Sequence, residues 1–134
     1  MKPSQLVFAG GIVGALGVTL GAFGAHWLEG AVQQWSLSAD EQARAVEVWQ
    51  VAVRYQLIHA LALTVTGLLA LKSPSRWLSA AGWLFLVGVL VFSGLLYVLV
   101  LSGVKVLGAI VPIGGLAMIL GWLALAVGGL RGEA

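Results

Sequence analysis

Residues 6–28 read LVFAGGIVGALGVTLGAFGAHWL, from Leu6 to Leu28, and this stretch decides the fold. It is long enough to cross a bilayer, where a helix needs about 20 apolar residues. It carries glycine at helical spacing and closes on Gly21-Ala22-Phe23-Gly24-Ala25-His26-Trp27. Three further apolar runs follow, at about 51–71, 77–101 and 106–130. The runs are continuous rather than alternating, which excludes a closed barrel. Backbone groups in lipid must bond within their own segment, so the runs are read as helices. A secretory signal peptide is the rival reading of the first run, given Lys2 and the small residues Ala22–Ala25. Its length and the three spans after it favour a membrane helix.

Composition agrees. The chain of 134 residues is 60% apolar and 9% charged. A soluble domain carries about 25% charge, so lipid is the fitting solvent. The expected fold class is an all-α membrane protein, a four-transmembrane-helix antiparallel bundle in one domain, 1–134. A net charge of +2, scattered along the chain, gives no footprint for nucleic acid. The absence of cysteine excludes disulfides, thiolate metal sites and a cysteine nucleophile, and leaves the redox compartment open.

Residues 29–50 form the sizeable polar segment. Ser38-Ala39-Asp40-Glu41 is a capping box, so a helix starts near Ala39. Asp40, Arg44, Glu47, Val51 and Arg54 make a mostly charged stripe; Ala39, Ala43, Val46 and Val53 make a more apolar one. Asp40 and Arg44 stand one turn apart with the acid first, the favoured order for a pair. An amphipathic lead-in at the interface, running on into the second span, is expected. It is read as a stiff lead-in in preference to a docking surface. Lys72-Ser73-Pro74-Ser75-Arg76 is a turn, because proline ends one helix and disfavours helix at the residue before it. Ser102-Gly103-Val104-Lys105 is a second turn. Lys2, Lys72, Arg76 and Arg131 fall on one side, and Arg44, Arg54 and Lys105 on the other. The short loop with Lys72 and Arg76 places both termini in the cytoplasm.

Gly10, Gly14, Gly17, Gly21 and Gly24 recur every three or four residues and share a helix side. Gly114, Ala117, Gly121, Ala124 and Gly128 do the same in the fourth span. Glycine lowers helix propensity by about 1 kcal/mol, and close helix packing offsets that cost. The simplest picture is that the seams knit the bundle. A seam facing a second subunit makes a homo-oligomer the expected assembly, with lipid and other membrane proteins as further partners.

Ionisable or polar groups at membrane depth are candidate sites by default. These are His26, Arg54, Tyr55, Gln56, His59, Ser93 and Tyr97. Ala52, Tyr55, His59, Ala62 and Thr66 share a face. His59 lies about 18 Å in from Leu71, at 1.5 Å per residue. One reading is a hydrogen-bond network among His59, Tyr97, Ser93 and Gln56 that fixes helix register. The functional alternative is a proton relay or small-solute site centred on His59. Haem ligation by His26 and His59, or a metal held with Glu29 or Glu47, ranks lower. A Ser93–His59 hydrolase lacks an orienting acid and the nucleophile elbow. No catalytic residue, metal site or cofactor is assigned. Trp27, Trp49, Trp77, Trp83 and Trp122 are read as interfacial anchors.

Four blocks in order resemble the bacterial "domain of unknown function 423" family, which is related to the eukaryotic transmembrane protein 256. They are Gly21–His26, Tyr55-Gln56-Leu57-Ile58-His59-Ala60-Leu61-Ala62-Leu63, Phe92-Ser93-Gly94-Leu95-Leu96-Tyr97 and Leu107–Gly115. The resemblance implies a multi-span protein of the bacterial inner membrane without an established activity, and carries over no catalytic residues. Two departures replace hydroxyls: Leu95 stands for a usual serine and Val111 for a usual threonine. The resulting reading is an accessory or structural membrane protein, with a small transporter or channel as the alternative.

Overall fold

The computed structural model describes residues 1–130. Arg131, one of the basic residues bearing on orientation, lies outside the described residues. The elements are α1 (Pro3–Phe23), a π turn (Gly24–Leu28), α2 (Glu29–Val32), α3 (Ala39–Lys72), α4 (Arg76–Ser102), a 3-10 turn (Lys105–Ala109) and α5 (Val111–Leu130). Among the described residues, four helical stretches are long and apolar enough to cross a membrane: Pro3–Val32, Ala39–Lys72, Arg76–Ser102 and Lys105–Leu130. The expected fold class is therefore observed.

Local sequence accounts for the ends. The Ser38–Glu41 capping box forms: the Ser38 amide donates to the Glu41 carboxylate at 3.0 Å, and the Glu41 amide donates to the Ser38 hydroxyl at 3.3 Å. From there α3 runs 34 residues without a break, about 51 Å at 1.5 Å per residue. The polar lead-in is thus continuous with the second span, as expected, and its length carries the charged turns beyond the roughly 30 Å of hydrocarbon. At its far end Ser73 is non-helical (φ −141°, ψ 85°), as Pro74 after it requires. Ser75 caps α4, accepting from the Leu78 amide at 3.2 Å. Gly103 ends α4 in the left-handed region (φ 70°), where the missing Cβ removes the steric penalty.

The fourth span differs from expectation. It opens as a 3-10 turn, and α5 proper begins at Val111 instead of Val106. Pro112 is the cause: an α-helix running through it would lose a hydrogen bond and clash with the carbonyl four residues back. The first span also departs from a plain α-helix, passing through the π turn at Gly24–Leu28.

The helices pack in sequence order. α1 lies on α3, α3 on α4 and α4 on α5; the start of α1 also touches α4, at Leu6 and Gly82, while α1 and α5 share no extended interface among the described residues. The second span accordingly buries more of its apolar window (44%) than the first (22%) or fourth (28%). Both glycine seams lie inside this row. A Cβ at Gly10 would meet the Thr64 amide nitrogen at 2.8 Å and the Ala60 carbonyl oxygen at 2.9 Å. Below it Gly17 faces Leu57, Gly21 faces Val53 and Gly24 faces Trp49. Gly14 is looser, with the Ala60 Cβ at 3.6 Å. The second seam meets α4: a Cβ at Gly114 would lie 2.5 Å from the Phe92 amide nitrogen, and Gly121 and Gly128 face Phe85 and Leu78. Met118 fills the buried middle position of that seam, while Ala117 is half-buried. Three close-packed glycines outside the two seams complete the row: Gly67 against Val7, Gly82 against Leu6 and Gly88 against Met118.

Candidate functional site: buried polar clamps between the helices

Gln56 is the central polar residue. It is 5% exposed and joins three helices. Its amide nitrogen donates to the Val13 carbonyl of α1 at 2.9 Å. Its amide oxygen accepts from the Tyr97 hydroxyl of α4 at 2.7 Å. Val13 oxygen is reachable because Gly17, one turn on, has no side chain to cover it. The Leu57 side chain fills that space, 2.7 Å from where a Gly17 Cβ would stand.

Ser93 makes a second clamp. Its hydroxyl, 1% exposed, donates to the Ala52 carbonyl at 2.8 Å and ties α4 to α3. Thr66 and Thr64 bond back to their own helix, at Ala62 (2.7 Å) and Ala60 (3.0 Å).

His59 makes the third. Nδ1 lies 2.7 Å from the Tyr55 carbonyl oxygen, and Nε2 lies 3.2 Å from the Trp122 indole nitrogen. A carbonyl only accepts and an indole N–H only donates. The partners therefore fix the neutral ring with its proton on Nδ1. A second proton on Nε2 would point at the Trp122 N–H, donor against donor. The ring sits among aromatics, with centroids 5.6 Å from Phe85 and 6.0 Å from Trp122.

The predicted site residues are thus only partly brought together. Gln56 and Tyr97 bond as expected, but His59 and Ser93 take other partners, so three separate clamps replace one network. Tyr55 contributes its carbonyl to His59, while its side chain is 41% exposed, against Phe92 at 4.6 Å. Arg54 is exposed and continues the lipid-facing row of Ile58, Leu61, Val65 and Leu68. Its long stem suits a guanidinium that reaches toward the interface. His26 is exposed on the π turn. Gly24 packs at the level of Trp49, and His59 is ten residues further along α3, about 15 Å. The pairing of His26 with His59 that a haem would need is not made. Ser93, level with Ala52, lies about 10 Å along α3 from His59, which removes the hydrolase pair.

Of the tryptophans read as interfacial anchors, Trp49 is buried in the core instead, and Trp122, 46% exposed, also bonds a buried residue. Trp49 is 2% exposed, donates to the Leu20 carbonyl at 2.9 Å and packs tilted against Tyr97, ring centroids 4.6 Å apart. Its indole lies against Gly24, the first residue of the π turn. Trp122 holds His59. Sequence reasoning missed both, because an indole near a span end reads the same whether it faces lipid or a neighbouring helix. Trp27 and Trp83 do face outward, 55% and 51% exposed.

Gln56, His59, Ser93 and Tyr97 fall within the segment that comparison with known proteins matches, while their partners Val13 and Trp122 lie outside it. A family profile described as "Protein of unknown function (DUF423)" covers residues 20–115. The chain belongs to this family. A UPF0382 membrane protein of Bacillus subtilis, YwdK, is 39% identical over 126 residues, 93% of this chain and 95% of its own. A UPF0382 membrane protein of Staphylococcus epidermidis is 40% identical over 125 residues, 93% and 94% of the two chains. A third, of Staphylococcus haemolyticus, is 41% identical over 121 residues, 90% and 91% of the two. No solved structure matches the chain significantly. The family is described as of unknown function, and these relatives are described as membrane proteins.

Proposed function

We propose that the protein is a non-catalytic structural or accessory component of the bacterial inner membrane. It acts by helix packing with itself, with lipid or with other membrane proteins. One observation carries this reading: Gln56, buried at the junction of α1, α3 and α4, has both ends of its amide committed to the protein's own Val13 and Tyr97. Groups that serve as interhelical glue are satisfied in this way, whereas a relay needs a group free to take up and release a proton. His59 supports the same reading, since its neutral form is held from both sides. Self-association would use the outward faces of the end helices, such as Phe8, Ile12 and Leu16 of α1, because the glycine seams are covered within the chain.

The test is proton and small-solute flux in proteoliposomes, with His59→Ala alongside. The expected result is flux equal to that of empty vesicles in both. Flux above that level, lost in His59→Ala, would replace this reading with transport. Both termini are assigned to the cytoplasm. Cysteines introduced at Ser75 and Ser102 should then label from the cytoplasmic and the opposite side respectively, and reversed labelling would invert the topology.

A further inference from the structure

We propose that the cleft between the start of α3 and the start of α5 binds one phospholipid bearing a primary ammonium headgroup. This site does not depend on the role proposed above. The cleft has a volume of about 610 Å³. One wall carries Asp40, Arg44 and Glu47 of α3; the floor and far wall carry Phe92 and Leu96 of α4 and Val111 of α5. It exists because Pro112 delays the start of α5. At greater depth the gap is closed by Trp122 on His59 and by Tyr55 against Phe92.

The chemistry of the two walls selects the ligand. Asp40, Arg44 and Glu47 lie at helical spacing on one face. The favoured Asp40–Arg44 pair does not form. Among the described residues none of the three is held in an ion pair or side-chain hydrogen bond, and all three are exposed along the cleft. Exposed ion pairs contribute little, so these charges remain available. Their order is negative, positive, negative. A phosphodiester matches Arg44, whose guanidinium forks onto phosphate oxygens. A primary ammonium matches Asp40 or Glu47, donating hydrogen bonds that a trimethylated ammonium lacks. An anionic lipid without an amine would meet a wall summing to −1. A small soluble zwitterion would leave the Phe92, Leu96 and Val111 wall facing water. From Asp40 to Val51 the charged wall spans about 16 Å, long enough for a headgroup and the beginning of an acyl chain.

The experiment uses the full chain, extracted from vesicles of equimolar phosphatidylethanolamine, phosphatidylcholine and phosphatidylglycerol. Retained lipid is counted by native mass spectrometry. One phosphatidylethanolamine per chain is expected, about five-fold over either competitor, the scale of one partly exposed charged contact. Glu47→Gln should bring retention to near parity, and Arg44→Gln should lower retention of all three lipids, whose phosphodiester is common. Ala43→Trp, at an exposed position lining the cleft, should abolish retention at an unchanged unfolding temperature. Equal retention of phosphatidylglycerol by the unaltered chain, no retained lipid at all, or undiminished phosphatidylethanolamine in Ala43→Trp would each overturn the proposal.

Discussion

Gln56 shows how much one side chain can organise in a membrane. Its amide links three helices in a setting where hydrophobic attraction between helices is weak. Gln56→Leu removes both bonds and leaves the Tyr97 hydroxyl buried without its acceptor. A loss of about 1–3 kcal/mol is expected, the cost of an unsatisfied buried group, read from reversible unfolding in micelles. Tyr97→Phe in the Gln56→Leu background should recover part of it, and simple additivity of the two changes would show that the bond carries no coupling. The glycines give a sharper contrast. Gly10→Ala forces a methyl against the backbone of α3, 2.8 Å from the Thr64 nitrogen. It should destabilise by about 1–3 kcal/mol, as overpacking does. Gly11→Ala meets nothing within 4 Å and should be neutral or stabilising by up to about 1 kcal/mol through helix propensity. Equal effects at the two neighbours would contradict the α1–α3 interface.

At the scale of elements, the capping box governs how the second span begins. The backbone N–H of Ser38, and then its hydroxyl, hold the Glu41 carboxyl below its ordinary value of 4.5. A carboxylate with a depressed folded pKa stabilises above its unfolded pKa, and this contribution is lost as pH falls through the folded value. Amide exchange at Glu41 and Gln42 should therefore accelerate, after correction for the intrinsic rate, as pH drops below about 4.5. Ser38→Ala should speed exchange at neutral pH and flatten the dependence. A Ser38→Ala profile parallel to that of the unaltered chain would count against the box. Elements of this kind were legible in the sequence, because capping and proline chemistry act over three or four residues. The π turn was not, and the indole packed against its first residue, Gly24, arrives from another helix.

For the whole molecule the decisive property is the serial order α1–α3–α4–α5. It predicts which helices can be cross-linked, and the absence of native cysteine makes the test clean. Cysteines at Gly14 and Ala60 would place their Cβ atoms 3.6 Å apart, within the span of a disulfide. Oxidation should close that bridge within one chain. A Gly14–Gly121 cysteine pair, joining the two ends of the row, should stay reduced. Closure of the second pair would mean that α1 and α5 meet.

The sequence alone determined that this chain lives in a membrane, that four helices cross it, where they turn, and which small residues let them approach. These follow from apolar length, proline and glycine geometry and three-four spacing, all of which are local. Tertiary structure decided the partners. It turned both glycine seams inward, sent Gln56 to Val13 and His59 to Trp122, put Arg54 on the lipid side, and parted His26 from His59. Spacing places a residue on a helix face, but only the packing of other helices says whether that face meets lipid, a backbone carbonyl or an indole. For the opening run, Leu6–Leu28, the glycines could be read from the chain, while the surface they close upon, α3 from Trp49 to Thr64, could not.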